Sequence, residues 1–235
     1  MIAVGGGDGG AAAGCAARAD LYGFLSGAFA RELDRDTWLR LCGEGARTEL
    51  RDLAVACEVE VDAAGLLAFL AEHRDRDPAA VVEDLAADYA RLFIGPGPGL
   101  APPYESLYGA ERRFYGEAFA QVTAFLRAQG VEVGPEFGAP ADHIAVELSI
   151  MQHLARLSAA QPVSLVGRDP LRRQLEFLDR HLLRWAPRWA ADVRREGATG
   201  FYREAAGLLE GHLRRDAGWL RCAIGAASVD GDAPP

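Results

Sequence analysis

The chain has 235 residues, of which 50% are apolar and 25% are charged, a balance typical of a soluble globular protein. Its net charge of −9 argues against binding to nucleic acid, because phosphate backbones require a basic surface. No segment approaches the roughly 20 apolar residues of a membrane span, and the N-terminus lacks the basic region of a secretory signal. We therefore expect a cytoplasmic protein without stable membrane insertion.

Composition divides the chain into one long domain and two short tails. Residues 1–14 and 226–235 are rich in glycine, alanine and proline, which favours disordered tails. Between them, residues 15–225 carry apolar side chains at helical spacing and show no alternating pattern typical of a β-strand. The sequence therefore predicts a single all-α globular bundle of about nine to ten helices.

Capping residues and prolines predict where several helices begin. Asp62 is predicted to cap one helix, and Asp77 followed by Pro78 combines a cap with proline at the first helical position. Pro187 is predicted to end one helix and to begin the next, because proline lacks an N–H group. Thr199 is predicted to cap the last helix.

A loop rich in glycine and proline, residues 94–104, leads into a cluster of polar and aromatic side chains. The prolines stiffen the chain before this cluster, so its side chains have little freedom to lose on binding. The cluster consists of Tyr104, Glu105, Ser106 and Tyr108. Two interpretations stay open: a recognition surface for a peptide, and an aromatic plug that closes the bundle.

An acid–histidine pair, Asp142 and His143, opens a later helix. A carboxylate at a helix N-terminus accepts hydrogen bonds from unpaired N–H groups, so Asp142 fits a cap. The same helix end disfavours a positive charge on His143, which we expect to be neutral, and Glu147 lies one turn further on. The residues alone leave three roles open: capping, a binding pair, or acid–base catalysis.

Metal and nucleotide sites have little support in the sequence. His143 and Glu147 share a helix face, but no set of three ligands has convincing spacing. The glycines at positions 95, 97 and 99 alternate with prolines, which lack the N–H groups that a phosphate cradle needs. We therefore expect no metal and no cofactor.

Four segments between roughly residues 80 and 210 read, in chain order, YARLFIGPGPGLAPPYESLY, ADHIAVELSIMQHL, FLDRHLLRWAPRW and GFYREAAGLL. In this order they resemble the TorD/DmsD family of cytoplasmic all-helical chaperones for molybdenum oxidoreductases. The resemblance implies a protein that is not an enzyme and that binds the twin-arginine signal peptide and the apo-form of a molybdoenzyme catalytic subunit. It implies that the chaperone assists molybdenum cofactor insertion and delays export, as a monomer or homodimer.

The resemblance also implies which residues contact the peptide. The peptide-binding region of the family falls on Tyr104, Ser106, Tyr108, Asp142 and His143. Asp142 and Glu105 are expected to pair with the arginines of the peptide, because guanidinium forms bidentate hydrogen bonds with carboxylates. The apolar run of the peptide is expected to lie on aromatic side chains, namely Tyr89, Phe93, Tyr104 and Tyr108.

The chain departs from the family pattern at two places in this region. Ala139, Pro140 and Ala141 stand where the family often has Glu-x-Pro, and Tyr104 stands where tryptophan is frequent. Both departures concern the contacts with the peptide more than the fold.

Two rival hypotheses belong to other classes. One is a small helical hydrolase that acts through Asp142, His143 and Glu147, although no recognisable nucleophile accompanies them. The other is a chaperone whose peptide affinity responds to GTP, although the sequence offers no loop that predicts nucleotide binding.

Overall fold

The computed structural model describes residues 8–95, 99–130, 138–160 and 168–229. In chain order the α-helices are α1 (Asp8–Ala30), α2 (Arg35–Cys42), α3 (Glu44–Ala56), α4 (Glu60–His73), α5 (Pro78–Tyr89), α6 (Glu105–Tyr108), α7 (Glu117–Ala128), α8 (Ile144–Ala159), α9 (Arg168–Phe177), α10 (Leu183–Glu196) and α11 (Gly200–Val229). A first π-helical turn, Ala90–Ile94, continues α5, and a second, Leu178–Leu182, joins α9 to α10. This architecture confirms the predicted all-α bundle.

The bundle is built around its two terminal helices, each of which packs against helices from other parts of the chain. α1 packs along α8, and α11 packs against α4, α9 and α10. Aromatic side chains fill the space between these helices, and the largest fully buried ones are Trp38, Trp185, Trp189, Tyr22, Tyr202 and Phe29. Each such side chain stabilises the fold by roughly 1.5–3 kcal/mol when it leaves water. This aromatic core holds the helices together.

The predicted helix starts have mixed outcomes. Asp77 caps α5 as predicted, since its Oδ1 atom accepts from the Ala79 N–H at 3.3 Å. The prediction for Asp62 is wrong, because α4 already begins at Glu60. The prediction for Pro187 is also wrong, because this residue lies inside α10. The second π-helical turn ends directly before α10, so the backbone is already irregular one turn before the proline.

A carboxylate from α5 holds the start of α11. Thr199 directly precedes α11 as predicted, but the capping acceptor is the buried Asp88. This carboxylate accepts from the N–H groups of Ala198 (3.0 Å) and Thr199 (2.7 Å) and from the Thr199 hydroxyl group (2.8 Å). Burial opposes ionisation of Asp88, but these hydrogen bonds and the Arg91 guanidinium outweigh it and lower the pKa of Asp88.

The two terminal helices extend past the predicted limits of the domain. α1 begins at Asp8 and α11 continues to Val229, whereas the sequence predicts limits at residues 15 and 225. The rest of the predicted tails, residues 1–7 and 230–235, lies outside the described residues. In the described part of the chain, no helix is both long and apolar enough to cross a membrane.

Candidate functional site

Residues 99–109 form a loop, called the anchored loop below, that is hydrogen-bonded to the helices on both sides. Gly99 begins it with a φ of +77°, and a Cβ atom there would lie 2.6 Å from the Leu92 carbonyl oxygen. Only glycine fits this position. The Ala101 N–H then donates to the Leu92 carbonyl group at 2.8 Å. The beginning of the loop is thus fixed against the first π-helical turn.

The middle of the anchored loop is joined to the start of α8. The Ile144 N–H donates to the Pro103 carbonyl oxygen, and the Glu105 N–H donates to the Asp142 carbonyl oxygen, both at 2.9 Å. In the described ranges these bonds accompany a single β-bridge, between Tyr104 and His143. The two motifs singled out in the sequence therefore form one site.

Asp142 caps α6 and not the helix that it precedes. Its Oδ2 atom accepts from the Ser106 N–H at 3.1 Å, and its side chain is only 1% exposed. The capping interpretation of Asp142 is therefore correct in kind, but the capped helix is a different one. The carboxylate is directed at the protein's own backbone and not at solvent.

His143 takes the capping position of α8. Its Nδ1 atom accepts from the Ala145 N–H at 3.1 Å, so the ring proton belongs on Nε2. Burial lowers the pKa of His143 to about 4, which confirms the predicted neutral ring and makes burial the cause. The ring packs edge-on against Tyr104, with 5.1 Å between the ring centroids.

Four buried side chains meet beneath α6. Glu105 accepts from His181 Nδ1 at 2.9 Å, and Glu147 accepts from the Trp185 indole N–H at 3.0 Å. The Glu105 and Glu147 carboxyl groups are neighbours, and the Oε1 atom of Glu147 is buried without a hydrogen-bond donor in the described part of the chain. Burial, and then the charge of Glu105, raise the pKa of Glu147 well above its usual value. The Glu105 carboxylate, like that of Asp142, thus has its hydrogen-bond partner inside the protein.

The two tyrosines of the anchored loop are half-buried. The Tyr104 ring packs edge-on against Phe114, with 5.2 Å between the ring centroids. The Tyr108 hydroxyl group donates to Asp192 at 2.9 Å, and the Tyr108 carbonyl group accepts from Arg188 at 2.7 Å. Both rings therefore reach the surface in fixed orientations.

A cavity of about 480 Å³ lies between α6, α7 and α10, next to the anchored loop. The buried Ser106 hydroxyl group forms part of its wall and has no hydrogen-bond partner in the described part of the chain. The acidic side chains of Glu111 and Glu117 and the basic side chains of Arg184 and Arg188 also line this cavity. The cavity therefore presents both negatively and positively charged side chains to a ligand.

Tyr89 and Phe93 belong to the aromatic core. Both are only 5% exposed. The Tyr89 hydroxyl group donates to the Phe29 carbonyl oxygen at 3.2 Å, and the Phe93 ring centroid lies 5.5 Å from that of Tyr202 and 5.9 Å from that of Trp189. The predicted apolar groove is therefore not open at these two positions, and both side chains support the loop from below.

Four large apolar side chains that lie within the anchored loop or close to it in sequence are exposed, and sequence reasoning missed all of them. This group, the apolar rim, consists of Ile94, Leu100, Phe114 and Tyr115. Tyr115 is 66% exposed and has a φ of +55°, a left-handed conformation that is uncommon for a bulky residue. Their sequence signal is apolar character next to glycine and proline, outside any helical period.

The residues of the hydrolase hypothesis are not assembled into a catalytic set. The side chain of Asp142 bonds to Ser106, that of His143 to Ala145, and that of Glu147 to Trp185. No group of three His, Cys, Asp or Glu side chains in the described ranges could hold a metal ion.

Comparison with known proteins assigns this bundle to a family that includes chaperones. A family model described as nitrate reductase delta subunit matches residues 53–191, and the chain belongs to this family. Within it, the chain is similar to proteins named Chaperone protein TorD. That of Shewanella piezotolerans is 33% identical over 212 residues, or 87% of this chain and 92% of the relative. That of Vibrio cholerae is 31% identical over 203 residues, or 85% and 90%.

These relatives place the chain in the TorD family of chaperones, as the sequence motifs predict. The relatives are named as chaperones and not as catalysts, which confirms the prediction that the protein is not an enzyme. A crystal structure of a candidate redox enzyme maturation protein from Archaeoglobus fulgidus aligns over 90% of this chain and 93% of its own, at 20% identity. Its TM-score of 0.42 is too low to carry an argument.

Proposed function

We propose that the protein is a cytoplasmic assembly chaperone that binds the twin-arginine signal peptide and the apo-form of a molybdoenzyme catalytic subunit. In this role it assists insertion of the molybdenum cofactor and delays export until the enzyme is complete. The observation that carries the proposal is the exposure of the apolar rim, of which Phe114 packs against Tyr104 in a loop whose backbone is fixed by hydrogen bonds to α8 and to the first π-helical turn.

The apolar run of the peptide lies on the apolar rim and on the outer faces of Tyr104 and Tyr108. Large apolar side chains that stay exposed next to one another are typical of interaction surfaces. The left-handed backbone of Tyr115 costs about 1 kcal/mol or more, and such strain persists where a site requires it. Because the loop is already ordered, binding loses little conformational entropy.

The arginines of the peptide enter the neighbouring cavity. Asp142 and Glu105 are engaged behind the surface, so the carboxylates within reach of a guanidinium are those of Glu111 and Glu117. The Ser106 hydroxyl group supplies a further acceptor. The net charge of −9 favours encounter with a basic leader. Asp142 and His143 then serve binding by holding the loop in place.

Calorimetric titration with a synthetic twin-arginine leader tests this proposal. We expect saturable binding, and at least tenfold weaker binding of a leader in which both arginines are replaced by glutamine. A tenfold change corresponds to about 1.4 kcal/mol, close to the lower end of the roughly 1.5–3 kcal/mol that a hydrogen bond to a charged group contributes. Absence of binding by leaders of several molybdoenzymes would contradict the proposal.

A surface variant tests the apolar rim separately. Phe114→Ser together with Tyr115→Ser should weaken leader binding about tenfold or more, because apolar area is no longer buried in the complex. Val55→Ser is the matched control, since Val55 is 56% exposed on α3, outside the rim. Equal affinities of the rim variant and the control would exclude the rim as the binding surface.

A further inference from the structure

We propose that Glu147 and Glu105 share one proton, and that this proton holds α6 and the anchored loop in the geometry that binds the peptide. Glu147 is then a positioning residue, since it acts through Glu105 and is fully buried. The inference rests on the proposed function and concerns the regulation of the same site.

The hydrogen bonds of Glu147 require a proton on one of its oxygens. Its Oε2 atom accepts from the Trp185 indole N–H, but no donor in the described residues reaches Oε1. An ionised Glu147 would therefore bury a negative charge with one oxygen unsatisfied, beside the Glu105 carboxyl group. A proton on Oε1 removes this conflict, because a carboxylic O–H group is a donor and the neighbouring Glu105 carboxylate is an acceptor for it.

Glu105 is the acceptor of this shared proton. On its other side, its Oε2 atom accepts from His181 Nδ1–H at 2.9 Å. The hydrogen bonds thus run from Trp185 to Glu147, from Glu147 to Glu105, and from His181 to Glu105. These four residues lie on α10, α8, α6 and the second π-helical turn. The chain of bonds therefore attaches the short helix α6 to three other elements.

The charges around this chain of bonds favour the protonated form of Glu147. Asp142 adds negative charge at the start of α8, and burial of Glu147 acts in the same direction on its pKa. α1 packs against the first turn of α8. The residue of α1 that contacts this turn is the neutral Ser26, whose hydroxyl group donates to the Ala145 carbonyl oxygen at 2.7 Å. The adjoining cavity contributes exposed side chains that water screens, namely Glu111, Glu117, Arg184 and Arg188.

Loss of the shared proton should release the loop. An ionised Glu147 repels the Glu105 carboxylate and no longer donates to it, so the attachment of α6 weakens. Ordered loop geometry, and with it affinity for the leader, should therefore decline as the pH rises. Protons stabilise the binding-competent form.

Glu147→Gln tests the proposal, because its amide group can donate to Glu105 and accept from Trp185 without a proton that can be lost. Relative to this variant, the unfolding equilibrium constant of the wild type should rise by up to tenfold per pH unit above about pH 4.5. The wild-type affinity for the leader should fall towards alkaline pH, and that of Glu147→Gln should not change with pH. Identical pH profiles of the two proteins would overturn the proposal.

Infrared spectroscopy gives a readout that a merely structural role would not change. At neutral pH the wild type should show the C=O stretching band of a protonated carboxylic acid, and Glu147→Gln should lack it. Glu117→Gln, which alters an exposed carboxylate of the same cavity, should keep the band. A missing band in the wild type, or a band that survives in Glu147→Gln, would disprove the shared proton.

The wild type alone provides a test if Glu147→Gln does not fold. The infrared band should disappear on raising the pH in step with faster hydrogen exchange of the Ser106 amide, which its hydrogen bond to Asp142 protects while α6 is docked. Exchange that does not follow the band would contradict the positioning role. A band at neutral pH without leader binding at any pH would contradict the proposed function and leave the shared proton intact.

Discussion

At the scale of single residues, the acid–histidine pair is a structural support for a loop that is distant in the sequence. Asp142 and Ser106 lie 36 residues apart in the chain, yet their hydrogen bond fixes the start of α6. His143 holds the start of α8 with a ring that burial keeps neutral. The functional importance of these two residues is therefore expected to be indirect, through the surface that they position.

Substitution of Asp142 should lower stability, because its acceptor oxygen is buried. Asp142→Ala leaves the Ser106 N–H without a partner, and we expect a loss of about 1–3 kcal/mol in the free energy of unfolding. Asp142→Asn keeps a side-chain oxygen and should lose clearly less. Urea denaturation of both variants measures the difference. Equal losses would show that hydrogen bonding to Ser106 is not what stabilises this position.

At the scale of helices, one carboxylate links the middle of the sequence to its end. Asp88 on α5 accepts three hydrogen bonds from the residues that begin α11, and Arg91 adds a fourth. These bonds lower the pKa of Asp88, so its contribution to stability is present above its unfolded pKa of 3.8 and is lost as the pH falls through the folded value. A single side chain thus determines how α11 enters the bundle.

Removal of the Asp88 carboxylate should lower the free energy of unfolding strongly, whereas removal of a nearby exposed carboxylate should hardly change it. Asp88→Ala leaves buried N–H groups unsatisfied, and we expect a loss of about 3 kcal/mol in the free energy of unfolding. Asp84→Ala is the matched control, since Asp84 lies on the same helix, is 60% exposed and contacts Arg76 at 3.5 Å. It should change stability by less than about 0.5 kcal/mol. Thermal and urea unfolding at pH 7 distinguish the two.

At the scale of the whole molecule, stability should pass through a maximum near pH 6.5. Burial lowers the pKa of His143 and His212 to about 4, so between about pH 4 and 6.5 unfolding takes up protons and stability rises with pH. Glu147 makes stability fall with rising pH, because its raised pKa means that unfolding releases a proton above about pH 4.5. Each group contributes up to about 1.4 kcal/mol per pH unit.

Up to about pH 6.5, the rise in stability from the two histidines is larger than the fall from Glu147. Above this pH only Glu147 changes the free energy of unfolding, and stability falls. Guanidinium unfolding at a series of pH values from 5 to 9 measures this profile. Glu147→Gln should remove the decline on the alkaline side and leave the acidic side unchanged. A wild-type free energy of unfolding that rises steadily to pH 9 would contradict the assignment of these three groups.

The sequence by itself determined the features that depend on near neighbours in the chain. Apolar side chains at helical spacing predict the all-α fold, and Asp77 with Pro78 marks the start of α5. The four motifs, which follow one another in the same order as in the family, are sufficient to recognise it, because the resemblance depends only on residue types along the chain. These properties need no knowledge of which distant segments meet.

Only the tertiary structure decided which residues are partners and which are exposed. Glu105 and His181 are 76 residues apart, and Glu147 and Trp185 are 38 apart, so no local pattern connects them. The same packing buries Tyr89 and Phe93 and leaves Phe114 and Tyr115 at the surface. Burial and hydrogen-bond partners depend on how helices distant in sequence pack together, and a pattern along the chain contains no such distances.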